Sequence, residues 1–327
     1  MSATYETVRA WIEELCRSSF LYVHLEPTNA CNTRCVMCPR EAMTRPKTMM
    51  TWAVLERVVD VLLPLRVPMV SIVGFGEPTL HPELAAMVGY VRRRRSDVIV
   101  KLTTNGSRLT AAVIDSLYMA GLDLLEISVV GHDATAYSAA MGGLGFQSVL
   151  RAVDYLNQAG HRYLLATFPT GDARPETLRA FWAGRGAVNV EVKGFHRRGG
   201  YLQTTEALWG DAIGDYRQRR LTTAPDGIPV DACHKLYMFL HVNAHGNLVP
   251  CVQEINDKNV LGNVFELAEF GRVVSLLRAH RPLFDICQGC DLKAQDQVDY
   301  YARFLRKYFP EEVARMVRRG DDKTGVE

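Results

Sequence analysis

The sequence predicts an α/β fold on a parallel sheet, with a smaller cysteine-bearing segment behind it. Three observations carry that prediction. Between residues 20 and 192, short apolar runs alternate with stretches of helical periodicity, the pattern of consecutive βα units. Past Asp231 the alternation stops and four of the eight cysteines appear. A length of 327 residues suffices for one large domain and a small accessory one.

Residues 4–18 read as a short amphipathic helix, and Phe20 to Leu25 as the first strand. Further strands are expected at 69–73, 98–103, 123–130, 162–168 and 187–192, and helices at 51–63, 82–95, 110–120, 146–159 and 174–184. Arg92 to Arg95 close one helix, where cations suit the macrodipole, and read as a solvated helix end. Gly, Thr, Gln, Arg and Pro break any period over 194–230, which reads as a connector with one helix near 205–219. A hairpin follows, with strands from Tyr237 to Asn243 and from Leu248 to Val252 and Ala-His-Gly-Asn between them. After Leu261 to Val264, a helix is expected near 266–279. The expected divisions are an N-terminal helix (1–19), the main α/β unit (20–195), a connector (196–230) and a C-terminal unit with a closing helix (231–327).

Composition narrows the class. A net charge of +2 suggests neither a nucleic-acid partner nor a membrane surface. No apolar run reaches the 18 residues of a membrane span, and no signal peptide opens the chain. At this length the cysteines point to metal or redox use in a reducing compartment, so the expected location is cytoplasmic.

Cys31, Cys35 and Cys38 follow the first strand in C-x3-C-x2-C spacing, with the bulky Met37 before the last. Three thiolates on one loop can hold three irons of a cubane cluster and leave the fourth open. A structural zinc site prefers four ligands in paired knuckles, and no fourth ligand lies close in sequence. After the second strand comes Gly74-Phe75-Gly76-Glu77-Pro78, in which glycine lets the backbone approach a ligand. After the third comes Thr103-Thr104-Asn105-Gly106, and the fourth contains Ser128. Such loops collect at the C-terminal ends of parallel strands, where barrel active sites lie.

These motifs resemble those of the radical S-adenosylmethionine (radical SAM) enzymes. The resemblance implies a partial (β/α)6 TIM-type barrel and a 4Fe–4S cluster on Cys31, Cys35 and Cys38 whose open iron chelates SAM. It further implies cofactor-binding roles for Met37, Gly74, Gly76, Glu77, Pro78, Asn105 and Ser128, with Glu77 either fixing its loop or meeting the SAM ammonium. Gly76→Val is expected to weaken SAM binding and spare the iron content. Two positions depart from the family pattern: Phe75 separates the usual paired glycines, and Val130 replaces an Asp. An electron donor such as flavodoxin or ferredoxin is implied as a partner.

Cys233, Cys251, Cys287 and Cys290, in C-x17-C…C-x2-C spacing, resemble the Twitch domain, the short form of the SPASM domain. That likeness implies a second, auxiliary 4Fe–4S cluster with every iron held by protein; a structural zinc on the same four cysteines is the alternative. Cys16 is left over and reads as a small buried hydrophobe. With no spare downstream thiol to return a hydrogen atom, dehydrogenation is favoured over epimerisation. Lys193, His196, Arg197 and Arg198 leave the sixth strand and are candidate substrate contacts. The layout is similar to that of the 2-deoxy-scyllo-inosamine dehydrogenases and, second, the cytosylglucuronate decarboxylases, with epimerases and peptide maturases behind. The short segment before the first strand favours a small carbohydrate, cyclitol or nucleoside of antibiotic biosynthesis over a leader-bearing peptide.

Overall fold

The computed structural model describes residues 3–62, 65, 67–170, 173–194, 198, 201–202, 235–266, 284 and 297–321. Helix α1 (Tyr5–Ser18) begins where the Thr4 hydroxyl accepts the Thr7 amide at 3.2 Å, an N-cap that fills one orphan donor. Strands β1 (Tyr22–Leu25), β2 (Met69–Ile72), β3 (Ile99–Thr104), β4 (Leu124–Val130), β5 (Tyr163–Phe168) and β6 (Val190–Val192) fall on the six expected runs. Each pairs in parallel with the one before it. Helices α2 (Trp52–Leu62), α3 (Leu84–Arg94), α4 (Ala111–Met119), α5 (Ala134–Ala140), α6 (Phe146–Ala159) and α7 (Pro175–Gly184) connect them. The six units form the partial barrel expected of the sequence.

The sheet continues past this barrel. A single helical turn, α8 (Lys235–Met238), occupies the start of the expected hairpin strand and leads into β7 (Phe239–Val242). Strand β7 pairs in parallel with β1, Tyr22 opposite Phe239 and His24 opposite His241. Strands β8 (Asn247–Val249) and β9 (Gly262–Asn263) follow antiparallel, giving the order β6-β5-β4-β3-β2-β1-β7-β8-β9. The hairpin turns on Asn243, whose side-chain oxygen accepts the amides of His245 and Asn247 at 3.0 and 3.1 Å. Gly246 there takes φ +81°, a region open to glycine. The hairpin is therefore an extension of the barrel sheet.

Alternation along each strand sorts the core. Val23, Leu25, Ile72, Val100, Leu102, Leu125, Ile127 and Val129 point outward and pack with the surrounding helices. Residues at the starts of the strands, Tyr22, Met69, Ile99, Leu124, Leu164 (second in β5) and Phe239, meet α1, α9 (Gln297–Tyr308) and α10 (Pro310–Asp321) in a second cluster. There Ile12, Leu305 and Phe309 lose all exposure, and each such burial contributes about 1.5–3 kcal/mol. The two C-terminal helices thus seal the N-terminal ends of the strands. Cys16 sits half-buried against this cluster.

Three sequence expectations change. Helix α5 has no counterpart among the expected helices; it is seven residues long, too short for a periodic signal. The arginines ending α3 are not all solvated: Arg92 donates to the Gly121 carbonyl at 3.0 and 3.2 Å, to Val98 at 2.8 Å and to Asp123. Two helices, not one, close the described chain. The helices expected near 205–219 and 266–279 lie outside the described residues.

Candidate active site

The loops after β1, β2 and β3 brace one another at the C-terminal ends of the strands. Directly after β1, Glu26 is 4% exposed and bonded on all sides. Arg45 grips its carboxylate with two parallel bonds of 2.7 and 2.9 Å. The amides of Phe75 and Ala244 donate to the same carboxylate at 3.0 and 3.1 Å. One buried side chain thus ties together the cysteine loop, the glycine loop and the hairpin. Bidentate guanidinium–carboxylate geometry of this kind is strong and directional.

Cys31, Cys35 and Cys38 are all half-buried on this braced loop, and the Cys38 amide donates to the Cys35 carbonyl at 3.0 Å. Met37 is buried in the core beneath them. Helix α5 holds the loop from the side: Val36 donates to the Ala140 carbonyl at 3.0 Å, and Cys35 Sγ lies 3.6 Å from Met141 Sδ. Burial pushes the Cys31 thiol up and the Cys35 thiol up to about 11. A bound metal reverses that tendency, because its charge deprotonates a coordinating thiol. Among the described residues no three His, Cys, Asp or Glu side chains gather as they would around a single ion. Three thiolates on one loop can each take a separate iron of a cubane cluster.

Glu77 interlocks the next two loops. Its buried carboxylate accepts the Thr79 amide (3.1 Å), the Thr79 hydroxyl (2.7 Å), the Thr104 hydroxyl (2.5 Å) and the Asn105 amide (2.8 Å). Of the two roles expected of it, the loop-fixing one is visible in these bonds. Pro78 opens a short 3-10 turn. Asn105 in turn donates to the Asn32 side chain at 3.0 Å, reaching into the cysteine loop. The glycines are required by close approach. A Cβ on Gly74 would lie 2.3 Å from Glu26 Cγ, and one on Gly76 would lie 2.1 Å from the Thr28 carbonyl oxygen and 2.5 Å from that of Ala30. Because Thr28 and Ala30 lead directly into Cys31, Gly76→Val is now expected to lower iron content as well as SAM affinity. Iron analysis beside a SAM-binding titration checks this; wild-type values for both would mean the loop yields without cost.

Inside the strands lies a cavity of about 410 Å³ that touches Cys38, Gly74 and Ser128 at one end and Tyr22, Met69 and Tyr301 at the other. Its wall carries an ion triad. Glu126 bonds Lys101 at 2.7 Å and Lys193 at 2.9 Å. Burial alone would raise the Glu126 carboxyl, but the two lysines outweigh it and hold it at about 2. Across the cavity, His24 and His241 meet Nδ1 to Nδ1 at 2.7 Å. Burial lowers both, His241 to about 3, and His241 and Lys101 lower His24 further.

Of the expected substrate contacts, Lys193 and Arg198 line this cavity, Arg198 with φ +49°. His196 and Arg197 lie outside the described residues. So do Cys233, Cys287 and Cys290 of the second cysteine set. Cys251 follows β8, half-buried, and accepts the Gln253 amide at 3.5 Å, a contact suited to a ligating thiolate. Sequence reasoning missed Glu26, Arg45, Lys101, Glu126, His24 and His241. For His24, Lys101, Glu126 and His241 the one local signal is polarity within otherwise apolar strands; Glu26 and Arg45 lie in the loop after β1 and carry none.

Residues 25–181, just under half of the chain, match the family described as the Radical SAM superfamily. The chain is 30% identical over 146 residues to GTP 3',8-cyclase of Actinobacillus pleuropneumoniae serotype 5b, an alignment covering 44% of this chain and 42% of that protein. It therefore spans about two-fifths of that relative's length. Among solved structures, BtrN in complex with AdoMet and 2-DOIA superposes with TM-score 0.55 at 19% identity, covering 86% of this chain and 98% of that one. SuiB of Streptococcus suis bound to its precursor peptide SuiA superposes with TM-score 0.64 at 18% identity, covering 94% and 79%. The profile match thus covers the barrel, and the two superpositions show a shared fold.

Proposed function

We propose that the chain abstracts a hydrogen atom from an oxygen-bearing carbon of a small sugar, cyclitol or nucleoside and completes a dehydrogenation. The observation that carries this reading is the cavity. It opens beside Cys38 and Gly74 and is lined by Ser71, Thr103, Ser128 and His24. Its volume of about 410 Å³ suits a small molecule, and its hydroxyl and imidazole groups suit a polyhydroxylated one. Helix α9 closes the far end with Tyr300, Tyr301 and Phe304.

Cys31, Cys35 and Cys38 are the residues proposed to hold a 4Fe–4S cluster, which with SAM supplies a 5′-deoxyadenosyl radical when bound. Gly74 and Gly76 keep the backbone close, Glu77 and Asn105 hold the loops in register, and Ser128 faces the cavity. Cys233, Cys251, Cys287 and Cys290 are proposed to hold a second 4Fe–4S cluster able to accept one electron. Flavodoxin or ferredoxin is the class of external donor proposed. The name GTP 3',8-cyclase keeps a nucleoside substrate in view.

The test is a candidate substrate deuterated at the reacting carbon, incubated with reduced, reconstituted protein and SAM. Deuterium is expected in 5′-deoxyadenosine, with a product lighter by two hydrogens. A product of unchanged mass carrying one solvent hydrogen would establish epimerisation instead. Loss of carbon dioxide would establish decarboxylation.

A further inference from the structure

We infer that the Tyr137 hydroxyl donates a hydrogen bond to the Cys35 thiolate and thereby raises the reduction potential of the cluster proposed on the three-cysteine loop. The inference rests on that proposed cluster and adds to it a tuning group outside the cavity.

Tyr137 sets a polar atom in an apolar place. The residue is 0% exposed within the main core, its ring centroid 5.0 Å from that of Phe146. Its hydroxyl is buried and has no hydrogen-bond partner among the described residues. An unpaired buried hydroxyl is unfavourable, and phenylalanine would fill the same space without it. An orphan of this kind points to a partner that arrives with the loaded site.

The backbone directs the ring toward the cysteine loop. Tyr137 and Met141 are four residues apart, and the Met141 amide donates to the Tyr137 carbonyl at 2.8 Å, so their side chains share one side of α5. Met141 is the residue whose sulfur lies 3.6 Å from Cys35 Sγ. Burial first, and then Cys35 and Glu77, push the Tyr137 hydroxyl upward, which sets both groups within electrostatic reach of it.

Cys35 has the complementary deficit. Two side chains stand 3.6 Å from its sulfur, Thr33 Oγ1 and Met141 Sδ. The Thr33 hydroxyl gives its proton to the Met141 carbonyl, and a thioether has no proton to give. Both can accept from a Cys35 thiol, and neither can donate to a thiolate. Metal ligation removes the thiol proton, so the sulfur becomes an acceptor only in the loaded protein. The unpaired Tyr137 hydroxyl then supplies the missing donor. A hydrogen bond to a cluster sulfur favours the more negative, reduced state and so raises the potential.

The test is a redox titration, followed by electron paramagnetic resonance, of the reconstituted full-length chain without SAM, comparing wild type with Tyr137→Phe. The relevant cluster is the one whose signal changes when SAM is added afterwards. Its reduction is expected to be about three- to tenfold less favourable in the variant, a downward shift of about 30 to 60 mV for one electron. Resonance Raman of protein reconstituted in D2O and in H2O gives a second readout: the isotope shift of the Fe–S stretching bands should be smaller in Tyr137→Phe. Urea unfolding of the metal-free chains gives a third. The hydroxyl has no partner there, so Tyr137→Phe should unfold at the same urea concentration as wild type or a higher one. A tyrosine of purely structural role would lose stability without metal and leave the potential unmoved. An unchanged potential, an unchanged isotope shift or a less stable metal-free variant would each overturn the inference. If Tyr137→Phe keeps no iron, metal-free stability decides: wild-type stability with the iron lost supports the inference, and reduced stability overturns it. A wild type without any SAM-responsive cluster would remove the proposed function and this inference together. An intact cluster with an unmoved potential would remove the inference alone.

Discussion

Replacing Cys31, Cys35 and Cys38 together with alanine is expected to abolish SAM cleavage and to halve the bound iron, from about eight atoms per reconstituted chain to about four. Alanine offers no ligand, and no nearby group can substitute: the loop is held by Glu26, Arg45, Asn105 and α5, none of which supplies another thiolate. The remaining iron would sit on the second cysteine set, of which Cys251 lies in the described region. Iron and sulfide analysis, with 5′-deoxyadenosine measured after reduction, checks both parts. Persistent SAM cleavage in the triple variant would defeat the site assignment. Zinc in place of the residual iron would turn the second set into a structural site.

Arg45→Met is expected to destabilise the fold by about 3–5 kcal/mol, the cost of leaving a buried charge without its partner. Side-chain exposures are 4% for Arg45 and 6% for Glu26, so water cannot take the guanidinium's place. Arg45 also donates to the Ile255 carbonyl at 2.8 Å, and that acceptor would be orphaned too. Pairing the change with Glu26→Gln should recover a large part of the loss. The amide carries no charge, and its single oxygen can still accept from either Phe75 or Ala244, which now bond opposite oxygens of the carboxylate, so one of those two bonds is lost. Urea unfolding of the wild type, the single variant and the double variant measures this. A single variant within about 1 kcal/mol of wild type, the scale of an exposed ion pair, would show that solvent reaches the brace.

The barrel was legible because its signals are local. Each strand from Tyr22–Leu25 to Val190–Val192 is an apolar run set off by a helix of clear period, and the glycine and Thr-Asn-Gly loops sit at their ends. What the chain does with its hairpin was not legible. Strand β7 joins β1 across more than two hundred residues, and nothing in Phe239–Val242 names its neighbour. The same distance hides the His24–His241 pair, whose members each read as one polar residue in an apolar strand.

By itself, the sequence determined the cysteine and glycine motifs and the order of the βα units, because cysteine spacing, turn glycines and the alternation of apolar periods are written within a few residues of each other. The tertiary structure decided which polar side chains share the lumen. Glu126 becomes a partner of Lys101 and Lys193 only when β3, β4 and the end of β6 curve around one cavity. It also decided that Glu26 and Arg45 act as one brace and that α9 floors the cavity. Such contacts depend on sheet order, curvature and burial, and those follow from the packing of the whole chain against itself.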